Sequence, residues 1–155
     1  MLLRGSSPTR ESMRAMAYDT SNVFAKILRG EIPAHKVFED DDVVVFIDVM
    51  PQAPGHALVV PKAASRNLLD ADDAVLAKLM PVAAKVARAV KTAFAADGVS
   101  VFQYNEPAGG QSVFHLHVHV VPRHDGVALK PHTGGMEEGA VLAANAEKIK
   151  AALAN

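Results

Sequence analysis

The amino-acid sequence predicts a single-domain α+β fold built on a largely antiparallel, five-stranded sheet. At 155 residues, half of them apolar, the chain is long enough to bury one sizeable core. Five short runs have strand character, and three segments carry apolar residues at helical spacing. They follow one another as a short helix, a hairpin, a strand, a long helix, two further strands and a C-terminal helix, an order typical of α+β proteins.

The first half of the chain accounts for one helix and three strands. Several N-cap candidates precede apolar positions at helical spacing, which predicts a helix over residues 22–29. A hairpin follows, with strands at 36–39 and 43–47 on either side of a turn of aspartates. The loop 48–56 contains two prolines and a glycine, so we expect a rigid connection to a third strand at 57–61.

The second half contains the long helix and the remaining strands. Residues 69–96 place apolar side chains on one helical face, and Pro81 should kink or interrupt this helix because proline removes a backbone hydrogen bond. Strands are predicted over 99–104 and 112–122, on the two sides of a glycine-rich loop. Apolar positions at helical spacing in residues 137–154 predict the C-terminal helix.

The N-terminal residues differ from the rest of the chain. They are rich in arginine and serine and contain no apolar segment that could act as a secretory signal. We therefore expect an extension over residues 1–19 and a folded domain over residues 20–155.

Composition excludes several classes of function. The chain has no cysteine, which rules out disulfides, thiolate catalysis and cysteine-containing zinc sites, and is compatible with a cytoplasmic protein. Its net charge of −1 gives no general attraction to nucleic acid or to an anionic membrane. No apolar run approaches the roughly 18 residues that would suggest a membrane span.

Three histidines alternate with apolar residues in the fifth predicted strand. In an extended strand, His115, His117 and His119 share one face, while the residues between them face the core. Each imidazole has two nitrogens that need partners, so a row of them is unusual in a buried strand. The row indicates either a nucleophilic histidine site or a metal site.

Other residues of the chain argue both for and against a metal site at the histidine row. Two histidines of a strand can hold a catalytic zinc with a third from elsewhere, for which His56, His124 and His132 are candidates. Tuned metal sites usually contain carboxylates that orient the imidazoles, and residues 99–124 include only Glu106.

The loop before the row carries other groups. Residues 109–112 offer backbone amides, an amide side chain and a hydroxyl, which are donors for phosphate oxygens. A histidine close to such donors favours nucleophilic attack on phosphorus.

Two stretches of the chain resemble a known family. Residues 109–123, GGQSVFHLHVHVVPR, are similar to the signature of the histidine triad (HIT) superfamily of nucleotide hydrolases and transferases. Residues 46–62 look like the nucleoside-binding half of the same fold. The similarity extends over about residues 20–123 and is closest to the Hint-like bacterial members, whereas the tail after Arg123 differs from the animal Hint proteins.

The resemblance implies a division of roles among the polar residues. His117 would attack the α-phosphorus to form a nucleotidyl-histidine intermediate, and water would then release the nucleoside monophosphate. The backbone carbonyl of His115 would hold the other ring nitrogen of His117, and His56 would close the site beside it. Ser112 would help to protonate an amine leaving group. The implied phosphate-binding residues are Asn105, Gln111, Ser112 and His119.

The resemblance also implies a nucleoside site. The carboxylate of Asp48 would accept hydrogen bonds from the ribose hydroxyls. An apolar slot for the purine would be formed by Phe24, Ile27, Phe46 and Val49, although the sequence explains these residues equally well as core.

One departure from the family concerns zinc. Many bacterial relatives hold a structural zinc through two cysteines, a histidine and the first histidine of the triad. Here the first three positions correspond to Asn22, Ala25 and Ala64, so we expect no metal and no cofactor.

Taken with this departure, the resemblance predicts a homodimer that hydrolyses purine nucleoside phosphoramidates or related nucleotide conjugates without a metal. The alternatives are a metal-dependent hydrolase that uses the histidine row and a nucleotide-binding adaptor with little turnover.

Overall fold

The computed structural model describes Ser7, Thr9, residues 18–132 and residues 134–155, so the predicted extension lies almost entirely outside the described residues. One five-stranded antiparallel sheet has the strand order β1-β2-β3-β5-β4. The predicted α+β class is confirmed. The strands are β1 (Lys36–Glu39), β2 (Val43–Ile47), β3 (Ala57–Pro61), β4 (Gly98–Phe102) and β5 (Val118–Arg123), and the helices are α1 (Val23–Leu28), α2 (Asp73–Ala93) and α3 (Gly139–Leu153).

The sheet is buried on both faces. On one face Val43, Val45 and Ile47 of β2 pack in a core that also contains residues of α2 and α3. On the opposite face Val44 and Phe46 pack in a smaller core with residues of α1. The period of two in a strand sends alternate residues to the two cores, which explains why β2 and β3 are buried throughout.

Helix α2 is shorter than predicted and is not interrupted. It begins at Asp73 instead of residue 69, ends at Ala93 and continues through Pro81. Both Pro81 and Ala77, whose carbonyl loses its usual partner, lie on the exposed side of the helix. Water can satisfy that carbonyl, so the helix tolerates the proline.

The predicted histidine strand is wrong at its start. Strand β5 begins at Val118, and of the three histidines only His119 belongs to it. The backbone amide of Leu116 donates a hydrogen bond to the carbonyl of Ser65 and not to a residue of the sheet ladder. Nε2 of His115 donates a hydrogen bond to the carbonyl of Pro61. These bonds take the place of ladder pairing before Val118, although Leu116 still packs in the larger core as expected.

Within the described part of the chain, strand β4 lies at the edge of the sheet and pairs with β5 alone. Its Val101 is 45% exposed, and Tyr104 beyond its end is 42% exposed. In the described part of the chain no helix is both long enough and apolar enough to cross a membrane.

Candidate active site

The catalytic candidates lie on the α1 face of the sheet. His119 follows Val118 on β5 and pairs with Leu58 of β3, a residue of the smaller core. The ring of His117 lies 4.9 Å from that of His119 and 4.8 Å from Phe24 of α1. Both histidines line a cleft of about 90 Å³, together with Gln52, Tyr104, Gly110, Gln111, Ser112 and His132.

His117 has one ring nitrogen committed to the backbone. Its Nδ1 lies 2.6 Å from the carbonyl oxygen of His115, which can only accept, so the proton of the neutral ring is on Nδ1. The lone pair is therefore on Nε2. This is the tautomer that a nucleophilic histidine requires.

His56 and His119 form a directed chain of hydrogen bonds. The backbone amide of Gln52 donates to Nδ1 of His56 at 3.1 Å, which places the proton of the neutral ring on Nε2. That Nε2 lies 2.9 Å from Nδ1 of His119 and donates to it. His119 consequently carries its own proton on Nε2, where it can serve as a donor to an anion.

His115 is separate from this chain. It is fully buried, its Nε2 donates to the carbonyl of Pro61 at 2.8 Å, and its Nδ1 accepts from the hydroxyl of Tyr18 at 2.6 Å. His115 therefore contributes its backbone carbonyl to His117, while its ring anchors the segment. The row expected on one face is therefore divided, with the rings of His117 and His119 lining the cleft and that of His115 buried outside its lining.

Burial keeps these imidazoles neutral. It lowers the pKa of His56 and of His115 to about 4, because an imidazolium loses its hydration inside the protein. Burial also lowers the pKa of His117, against the opposing effect of the hydrogen bond to the His115 carbonyl. The pKa of His119 is lowered by burial and by the neighbouring histidines. At pH 7 the nucleophile candidate has a free lone pair.

The phosphate-binding candidates divide into two groups. Ser112 is exposed and lines the cleft with His119. Gln111 also lines the cleft, but its side-chain amide donates to two backbone carbonyls and accepts from Asn67 and from the amide of Glu106. Asn105 accepts from the backbone amide of Leu68 and exchanges hydrogen bonds with Gln103. Gln111 and Asn105 thus hold the loop in shape.

An ion pair fastens the same loop. Arg66 forms a two-point contact with Glu106, with distances of 2.7 and 3.0 Å, and Asn67 donates to Glu106 at 2.6 Å. Glu106 has a φ of 66°, a strained value for a residue with a side chain. These contacts offset that strain and help to fix the loop that presents Ser112 to the cleft.

The nucleoside candidates are mostly buried. Phe24, Ile27 and Phe46 form part of the smaller core, and the rings of Phe24 and Phe46 meet edge to face at 5.4 Å. Val49 is 38% exposed. The carboxylate of Asp48 is close to the histidines, with Oδ2 at 3.6 Å from Nε2 of His56.

Comparisons with known proteins identify the family of this chain. The model of the HIT domain matches residues 29–126. A HIT-like protein of Bartonella henselae has 52% sequence identity and a TM-score of 0.83, over 88% of this chain and 99% of that one. An uncharacterised HIT-like protein of Borreliella burgdorferi is 36% identical over 83% of this chain and 90% of its own length. The chain belongs to the HIT family.

Among relatives with a named activity is the adenosine 5'-monophosphoramidase of Saccharomyces cerevisiae. It is 37% identical over 69% of this chain and 65% of the yeast protein. A zinc-bound histidine triad protein of Mycobacterium smegmatis is 32% identical, with a TM-score of 0.78 over 87% of this chain and 94% of that one.

The residues of this HIT protein do not fit the structural zinc expected of such relatives. The side chain of Asn22 caps α1 by accepting from the amide of Ala25, and neither Ala25 nor Ala64 has a ligand atom. Both ring nitrogens of His115 are already used by Tyr18 and Pro61.

A second possible metal site is the cluster of Asp48, His56 and His119, whose ligand atoms lie within 4.8 Å of one another. Coordination by the facing nitrogens of His56 and His119 would require that the proton they share be displaced. Coordination by Nε2 of His56 would also require that the bond from the Gln52 amide to Nδ1 be lost.

Several residues around the HIT site carry no motif that identifies them in the sequence. Phe102 of β4 stacks on His119 with ring centroids 4.5 Å apart, and Tyr104 lies 5.8 Å from the same ring. Gln52, Tyr18 and His132 each donate a hydrogen bond to a site residue. Of these residues, the sequence singled out His132 alone, as a candidate metal ligand beyond the fifth predicted strand.

Proposed function

We propose that this HIT protein hydrolyses purine nucleoside phosphoramidates, or related nucleotide conjugates, through a nucleotidyl-histidine intermediate on His117. The observation that carries the proposal is the bond from Nδ1 of His117 to the His115 carbonyl, which leaves the Nε2 lone pair available in a cleft lined by anion donors. The cleft, with room for about three waters, suits a phosphoryl group.

The first step transfers the nucleotide to the protein. As Nε2 of His117 bonds to the α-phosphorus, the phosphorus–nitrogen bond of the substrate breaks and the amine leaves with a proton that Ser112 helps to deliver. Positive charge develops on the attacking ring. The His115 carbonyl stabilises that charge because it accepts the Nδ1 proton at 2.6 Å.

The second step releases the product. Water attacks phosphorus and gives up one proton, which restores the proton that Ser112 delivered to the amine. The bond to Nε2 breaks, and the nucleoside monophosphate leaves while His117 returns to its neutral state. Throughout, His119 donates its Nε2 proton to the phosphoryl oxygens, and His56 keeps that proton in place from the other side of the ring. No step requires a metal ion.

The nucleoside is bound by the other half of the site. Asp48 accepts hydrogen bonds from the ribose hydroxyls, and the purine packs against the apolar group of Phe24, Ile27, Phe46 and Val49. The named activity of the yeast relative supports this substrate class.

The test is a trapping experiment with adenosine 5'-phosphoramidate. Wild-type protein quenched during turnover should gain the mass of one nucleotidyl group, located on His117 by peptide mapping. His117→Asn should lose turnover and still bind AMP, whereas the matched variant His124→Asn, at an exposed position, should behave as wild type. Full turnover by His117→Asn would overturn the covalent mechanism.

Other outcomes identify the alternative functions. Turnover that disappears with a chelator and returns with zinc would indicate a metal-dependent hydrolase. Tight AMP binding without turnover on any phosphoramidate would indicate a nucleotide-binding adaptor.

A further inference from the structure

The carboxylate assigned to the ribose already has protein donors. Asp48 is 5% exposed, its Oδ1 accepts from the backbone amide of Met50 at 2.9 Å, and its Oδ2 accepts from Nε2 of His132 at 3.0 Å. Each carboxylate oxygen of Asp48 therefore accepts a hydrogen bond from the protein itself before any ligand binds. His132 lies in the tail beyond the region that the HIT domain model matches.

The backbone of the tail is attached to the loop that carries Asp48. The amide of Lys130 donates to the carbonyl of Gln52 at 2.9 Å, and the amide of Glu137 donates to the carbonyl of Val49 at 2.9 Å. These two bonds flank His132 in the sequence. Its position over Asp48 is thus built into the fold.

His132 contacts Asp48 and also lines the cleft. It lines the cleft, whereas Asp48 does not, and its ring lies 5.9 Å from His119 and 6.1 Å from His56. The cleft volume of about 90 Å³ is far below the roughly 300 Å³ at which ordinary ligand pockets begin. It can accept a phosphoryl group, but a nucleoside needs more room.

The side chain of His132 is partly exposed and belongs to neither hydrophobic core. It is 34% exposed, whereas the side chain of Asp48 is 7% exposed. If His132 moves away, Asp48 keeps the Met50 amide and needs a new donor on Oδ2. A ribose hydroxyl is such a donor.

We propose that His132 is a specificity-determining residue that competes with the ribose hydroxyls for the carboxylate of Asp48. The inference rests on the proposed nucleotide site. A ribonucleotide replaces the His132 hydrogen bond with its own and enters. A ligand that offers no hydroxyl at this position would leave a buried carboxylate oxygen without its partner, and is disfavoured.

The test compares AMP with inorganic phosphate by calorimetry. Replacement His132→Ala removes the competitor, so AMP should bind about three- to tenfold more tightly, the effect of one hydrogen bond. Phosphate affinity should not change, because phosphate does not need Asp48. His132→Gln keeps a donor and should stay closer to wild type than His132→Ala, and His124→Ala is the matched tail control.

The outcomes separate this inference from the proposed function. Weaker AMP binding by His132→Ala, or an equal gain for AMP and phosphate, would overturn the competition, provided that thermal unfolding shows the variant to be folded. AMP binding without turnover would overturn only the hydrolase. Failure of both wild type and His132→Ala to bind AMP would overturn the nucleotide site and the competition together.

Discussion

Each imidazole of the catalytic cluster has its proton placed by a neighbour. A backbone carbonyl sets the tautomer of His117, and a backbone amide sets that of His56 and, through it, that of His119. Burial then disfavours the charged form of all three rings. The nucleophile and the anion donor are both neutral histidines but opposite tautomers, a difference that the sequence does not reveal.

The lowered pKa of His117 has a direct kinetic consequence. Protonation of Nε2 removes the nucleophile, and burial opposes it, so a pH below the ordinary 6.5 is needed to protonate the ring. We predict that kcat/KM for adenosine 5'-phosphoramidate falls toward acid pH with a midpoint below 6.5. Rates corrected for the uncatalysed reaction at each pH provide the measurement, and an acid limb centred at or above 6.5 would contradict it.

The hydrogen bond from Tyr18 to His115 should contribute to the stability of the fold. The variant Tyr18→Phe leaves Nδ1 of the fully buried His115 without its donor. An unsatisfied buried acceptor costs about 1–3 kcal/mol, so the free energy of unfolding in urea should fall by about that amount. Tyr104→Phe, at a 42% exposed position, is the control and should change it by less than about 0.5 kcal/mol. Equal effects of the two variants would refute the role of Tyr18.

At the scale of elements, the loop between β2 and β3 matters most for the site. It carries Asp48 and His56 and supplies the Gln52 amide that orients His56. Its path depends on Gly55, which has a φ of 89° and lies directly against the ring of Phe94 at the end of α2. The loop is therefore held by the long helix as well as by its prolines.

The replacement Gly55→Ala should be costly. Its Cβ would collide with the Phe94 ring, and alanine disfavours a positive φ, so we predict a loss of at least about 2 kcal/mol of unfolding free energy. Gly139→Ala is the control, because nothing lies within 4 Å of the added Cβ at the start of α3. It should be neutral or slightly stabilising. Similar melting temperatures for the two variants would count against the packing argument.

At the scale of the whole molecule, one edge of β4 has no strand partner among the described residues. An open edge strand offers unsatisfied backbone groups, and here it adjoins the exposed side chains of Val101 and Tyr104. We propose that two copies pair at this edge, in keeping with the homodimer that the family resemblance implies.

Light scattering coupled to size exclusion tests this pairing. Wild-type protein should have twice the mass of one chain, and Val101→Asp should shift the population toward the single-chain mass, because it places charge at the joined edges. Val141→Asp, on the 40% exposed surface of α3, should remain dimeric. A wild-type protein of single-chain mass, or equal dissociation of both variants, would show that β4 is not the interface.

Most of the fold was predictable because hydrophobic periodicity is local. The β-branched runs of β2 and β3 and the helical spacing in α2 and α3 place these elements within a few residues. The predictions of secondary structure were wrong where the environment in the fold overrode the local sequence pattern. The start of β5 depends on the carbonyls of Ser65 and Pro61, and the continuity of α2 depends on which side of the helix Pro81 faces.

By itself the sequence determined the α+β class and the family, and it supplied the candidate site residues, since alternation, spacing and motif are properties of neighbours along the chain. Only the tertiary structure decided which ring nitrogen holds each proton, which histidine lies below the cleft and which residue covers Asp48. Tyr18 meets His115 across 97 residues, and His132 meets Asp48 across 84. No local pattern specifies such pairs, because they form only when folding brings segments that are far apart in the sequence into contact.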